Sequence, residues 1–85
     1  MSRILSREIQ NKTVVSEEGK MFGKVLDVTA DLQTGELVNM VVEPTKYVQT
    51  HFENLVSDEN GRILLPFSSV QAVGDFVLIN EKDVI

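Results

Sequence analysis

The chain reads as mainly β, a small barrel or sandwich of about six short strands with one short helix or helical turn. Three observations lead there. Val, Ile and Leu supply 13, 5 and 8 of the 85 residues, and the β-branched pair fits pleated strands better than helices. Turn signals rich in Gly, Asn and Asp recur at 16–20, 31–35, 57–61 and 74–75. Apolar runs of strand length lie between them, at 12–15, 21–30, 36–43, 62–66, 70–73 and 76–80. A mass of 9.5 kDa allows one domain over residues 1–85, with a modest core.

The elements follow in order. Ser6-Arg7-Glu8-Ile9 suits one capped helical turn with Ser6 as N-cap. Asn11 belongs to the turn before the first strand, which begins near Thr13. In the second run Phe22, Leu26, Val28 and Ala30 share one face, and Gly23, Val25, Asp27 and Thr29 the other. The inward phase slips between Val25 and Val28, so a β-bulge is expected near Leu26-Asp27. Such bulges bend strands as a small barrel requires. Gly23 is expected to let two strands approach closely. The third run is apolar on both faces, with Val38, Met40 and Val42 opposing Leu37 and Val41. Over 44–56, Val48, Phe52, Leu55 and Val56 follow i, i+4, i+7, i+8 spacing, which predicts a helix after Pro44. An irregular loop pinned by Tyr47 and Phe52 is the alternative, since β-branched residues and Thr50 weaken helix propensity. Pro66 ends a ladder, and Gly74 is expected to take positive φ in a tight hairpin with Asp75. Phe76-Val77-Leu78-Ile79 is again apolar on both faces.

Composition narrows function. Thirteen acidic against eight basic residues give a net charge of −5, which disfavours direct contact with nucleic acid. Without cysteine there is neither a disulfide nor a zinc–thiolate site. No apolar run is long enough to span a bilayer, and the first residues form no secretory signal, so a cytoplasmic location is expected. Asn11-Lys12-Thr13 matches a glycosylation acceptor by chance-level pattern only.

Catalytic constellations are equally absent. His51 is the only histidine and reads as a solvated residue rather than a lone base or pH switch. Asp58-Glu59-Asn60-Gly61 lacks the spacing of a calcium loop. Ser68-Ser69 has neither a base nor a nucleophile elbow. Lys12, Lys20 and Lys24 form a solubility or salt-bridge patch before they form an RNA site. Asp27 and Asp75 are best explained by hydrogen bonds to turn or bulge N–H groups. No catalytic residue, cofactor or metal is expected, and a barrel this small is filled by its own side chains.

Several ordered segments carry a resemblance. These are Lys12-Thr13-Val14-Val15, then the stretch from Gly19 through Phe22-Gly23-Lys24-Val25-Leu26-Asp27-Val28, then Thr34-Gly35-Glu36-Leu37. Leu65-Pro66-Phe67-Ser68-Ser69-Val70 and Val73-Gly74-Asp75-Phe76 complete it. Together they resemble the PRC-barrel family over roughly residues 5–80. The resemblance implies a small PRC-type β-barrel like those of the photosynthetic reaction-centre H subunit and a ribosome maturation factor. Among the family's branches the chain is most similar to the stand-alone archaeal barrels, some of which resemble proteins joining the membrane anchor of the tubulin-like division ring. That implies a non-enzymatic adaptor in archaeal cell division. The alternative is a ribosome or RNA-processing assembly factor that binds a basic ribosomal protein, a contact suited to an acidic surface.

The doubly apolar strands add an expectation of assembly. Whichever phase of the third and last strands points inward, large apolar side chains remain outside. A soluble monomer normally exposes only small apolar patches. A two-fold homodimer is therefore expected, with Val38, Val41, Val42 and Val77 as candidate interface residues. Tyr47 and Phe52, on the variable segment 44–56, are candidates for partner recognition.

Overall fold

A computed structural model describes residues 9–52, 55 and 59–84. Its strands are β1 (Thr13–Ser16), β2 (Met21–Ala30), β3 (Leu37–Pro44), β4 (Ile63–Pro66), β5 (Val70–Val73) and β6 (Phe76–Ile79), each within a residue of the expected bounds. They form one sheet in the order β4-β3-β2-β1-β6-β5. Neighbours run antiparallel except β1 and β6, which are parallel.

A flat sheet of this width would hold its edges about 24 Å apart, at roughly 4.8 Å per strand step. The edge strands β4 and β5 are nevertheless consecutive in the chain, joined by one 3₁₀ turn over Phe67–Ser69. Four Cα steps cover at most about 15 Å. The sheet must curl until its edges approach, which produces the small barrel-like fold.

Curling needs bends, and the strand registers supply them as bulges. Phe22, Leu26, Val38 and Gln71 are each the extra residue in one strand of a pair. The bulge at Leu26 switches the phase of β2 as expected. Val25 lies opposite Val42, and Val28 lies opposite Met40, so both sides of the bulge face the core. Gly23 has φ +152°, and a Cβ there would run into the Glu43 carbonyl oxygen and stand 2.8 Å from Val42 Cγ1. The close approach of β2 and β3 therefore depends on the missing side chain.

Inside the curl, Val14, Phe22, Val25, Met40, Val42, Ile63, Leu65, Val77 and Ile79 are fully buried. Ile9, Val48 and Val84 join the same cluster from outside the strands. The expected helical turn from Ser6 lies outside the described residues except for Ile9, whose carbonyl accepts from Lys12 N–H at 3.0 Å. Asn11 makes the turn before β1 with φ +72°.

The helix expected over 44–56 is real but shorter: α1 spans Lys46–His51. Thr45 caps it, its Oγ1 accepting from Val48 N–H at 3.4 Å and donating to Met21 O at 2.7 Å. One residue thus starts the helix and ties it to β2. Phe52 leaves helical geometry at φ −132°, ψ 54°, and among the described residues of the apolar series only Val48 is fully buried. Phe52 and Leu55 pack on the core from the segment that follows, and Val56 lies outside the described residues.

The turn between β5 and β6 falls where expected, but its conformation differs. Gly19, Gly23, Gly35 and Gly61 have positive φ, and Gly74 does not. The chain reverses with Gly74 N–H bonded to Phe76 O at 2.9 Å, so no left-handed residue is needed there.

Candidate functional site

The polar residues that invite a catalytic reading have structural work. Asp27 Oδ1 accepts from Val28 N–H at 2.8 Å, at the bulge it was expected to stabilise. Ser69 is buried, and its hydroxyl donates to Pro66 O at 2.6 Å. Exposed His51 sets Nδ1 2.9 Å from Tyr47 O and stacks on the Tyr47 ring at 4.5 Å. Among the described residues no group of three or more His, Asp or Glu is placed to hold a metal ion.

The candidate interface residues separate into three groups. Val42 and Val77 are fully buried, which removes them from any docking surface. Pairing is the reason: Val42 lies between Val25 and Ile63, and Val77 lies beside Val14, all five being core residues. Val41 occupies the opposite phase of β3, between Asp27 and exposed Leu64, and faces outward. Val38, the extra residue of its bulge, is 45% exposed. Tyr47 and Phe52 meet each other edge-on at 5.9 Å, and Phe52 packs on Phe22 at 5.3 Å. Both are half-buried and serve chiefly to seat α1 on the core.

A larger apolar surface lies across β2, β1, β6 and β5. The registers align Lys24, Thr13 and Phe76 in one cross-strand row. The next outward row is Met21, Val15, Leu78 and Ala72. Phe76 is 57% and Met21 55% exposed. Val15, Met21, Asp75, Phe76 and Leu78 line an open depression of about 630 Å³. This depression is the candidate interaction surface among the described residues. Lys24, Asp27 and Glu43, exposed on β2 and β3, separate it from the smaller apolar strip of Val41 and Leu64.

Phe76, Leu78, Met21 and Val15 were not singled out by sequence reasoning. Phe76 and Leu78 are one of two equally apolar phases of β6, so periodicity could not choose them over Val77 and Ile79. For Met21 and Val15, opposed outward across β1 and β2, the bulge at Phe22 hides the phase from simple alternation.

The molecule is thus a small curled-sheet barrel with an apolar outer face across β2, β1 and β6. Comparison with known proteins agrees with that architecture: the PRC-barrel domain matches the chain over residues 1–85. The chain belongs to the PRC-barrel family. It is also similar to an uncharacterized protein of the archaeon Methanocaldococcus jannaschii, 26% identical over 83 residues, which covers 98% of this chain and 88% of that protein. PRC-barrel domains are small modules often found in protein-interaction roles, and no helix among the described residues is long and apolar enough to cross a membrane.

Proposed function

We propose that the protein is a non-catalytic adaptor of the cytoplasm that works as a homodimer. One apolar face joins two copies and the other receives a protein partner. The observation that carries this reading is the presence of two apolar outer strips, Met21–Val15–Leu78 with Phe76 and Val41–Leu64, parted by charged Lys24, Asp27 and Glu43. An adaptor needs two separate contacts, and a rigid barrel presents them at a constant relative orientation. The likeness to stand-alone archaeal barrels supports a division-ring assembly as the setting. A basic ribosomal protein as partner is the second reading, favoured by the −5 charge.

Affinity capture from native archaeal lysate tests the proposal, with Val41→Glu as the control bait. Division-ring components lost from the Val41→Glu eluate support the first reading, and ribosomal proteins lost from it support the second. A partner set unchanged by Val41→Glu removes the β3–β4 strip from the proposal. Filter binding at low salt should show no measurable affinity for RNA, and tight, steeply salt-dependent binding would overturn the adaptor reading.

A further inference from the structure

Sulfur in this chain is confined to methionine: there are three, and no cysteine. Met1 lies outside the described residues, and the other two stand in opposite settings. Met40 is fully buried on β3, opposite Val28 and Leu65. Met21 is 55% exposed at the start of β2 and lines the depression with Val15, Asp75, Phe76 and Leu78. A peroxide molecule therefore reaches the Met21 thioether while the fold is intact, and reaches that of Met40 only when the barrel opens. The backbone at Met21 is held independently of its side chain. It pairs with Val15, and its carbonyl accepts from Thr45 Oγ1 at 2.7 Å. A polar group at the end of that side chain leaves both β2 and α1 anchored.

We propose that Met21 is a reversible oxidation site, converted by peroxide to the sulfoxide, and that the conversion turns the apolar face polar. A sulfur lone pair attacks one peroxide oxygen, and the S–O bond forms as the O–O bond breaks. The proton of the attacked oxygen passes to the departing hydroxide, which leaves as water. Sulfur loses two electrons and peroxide gains them. The sulfoxide oxygen is a hydrogen-bond acceptor with no proton to give. Val15, Phe76 and Leu78 offer it no side-chain donor, and the Asp75 carboxylate is itself an acceptor. Its hydrogen bonds therefore come from water. An apolar surface laid on the depression would strip that water away and leave the oxygen unpaired, so the reduced face suits apolar contact and the oxidised face does not. This chemistry goes beyond the adaptor reading and holds whichever partner the face receives. Methionine sulfoxide reductases, one for each sulfoxide epimer, restore the thioether with electrons from a thiol reductant that becomes a disulfide.

Peptide mass mapping of the full chain after treatment with hydrogen peroxide is the test, on protein dilute enough that no second copy covers the face. Met21 should gain one oxygen about a hundredfold faster than Met40 in native buffer, and the two rates should converge in denaturing urea. Hydrophobic-interaction chromatography of the folded products reads the change in the face. The oxidised parent should elute earlier than the reduced parent, with unchanged circular dichroism. Methionine sulfoxide reductases with dithiothreitol should return both mass and retention to their starting values. Met21→Leu, which keeps Met1 and Met40, should show no peroxide-dependent shift in elution. Equal rates at Met21 and Met40 in native buffer overturn the site, and a shift that persists in Met21→Leu overturns its assignment to this residue. Oxidation of Met21 with unchanged retention overturns the effect on the face. The adaptor reading is judged separately, by whether Val41→Glu abolishes partner capture.

Discussion

Replacing Gly23 with alanine adds a single methyl group where β2 and β3 approach closely. Gly23 is buried, pairs with both Val14 and Pro44, and has φ +152°. The new Cβ would overlap the Glu43 carbonyl oxygen, with the Glu43 carbonyl carbon at 2.9 Å and Val42 Cγ1 at 2.8 Å. Two of these three obstacles are backbone, so relief requires β3 to move rather than a side chain to rotate. Placing an L-residue in this region of φ costs about 1–2 kcal/mol. Forcing a methyl into a packed core costs a further 1–3 kcal/mol or so. Together they give roughly 2–5 kcal/mol, a large share of the ~5–10 kcal/mol expected for a domain of this size. With a urea m-value near 1 kcal/mol per molar, the unfolding midpoint should fall by about 2–5 M. Parent and variant are compared at one protein concentration, since association shifts apparent stability. Gly74→Ala is the control, because a Cβ there meets nothing within 4 Å and φ is not positive. Coincident midpoints for Gly23→Ala and Gly74→Ala would show that β2 and β3 are not pinned together at Gly23.

Further outcomes follow from the same geometry. Val77→Glu buries a carboxylate among Val14 and Ile79 and should abolish cooperative unfolding, whereas Val41→Glu should leave the unfolding free energy within about 1 kcal/mol of parent; both are read by urea titration. Thr45→Ala removes the α1 cap and the bond to Met21 O together, and should cost about 1–2 kcal/mol by the same titration. Gly74→Val, which a left-handed turn residue would not tolerate, should change thermal stability by less than about 0.5 kcal/mol.

Much of the architecture was legible in the order of residues because it is locally encoded. Strand limits follow from the Gly, Asn and Asp turns that interrupt the β-branched runs, and they hold in β1 through β6. The bulge at Leu26 was legible because core-sized side chains at Val25 and Val28 violate a period of two, and only an extra residue reconciles them. Asp27 bonds its neighbour's N–H across one residue, an interaction that short-range chemistry dictates. Other features depend on groups distant in sequence. Val41 and Val42 are equally hydrophobic, as are the two phases of Phe76-Val77-Leu78-Ile79, so local pattern left their direction open. Pairing Val42 with Val25 and Ile63, and Val77 with Val14, decided it by placing those side chains within the curl. The parallel union of β1 and β6 joins residues some sixty positions apart, and no local preference announces it. That union assembles Val15, Met21, Phe76 and Leu78 into one face, with Asp75 at its border. Turns and periodicity belong to a residue and its neighbours, but a surface belongs to strands that meet only once the sheet has closed around its core.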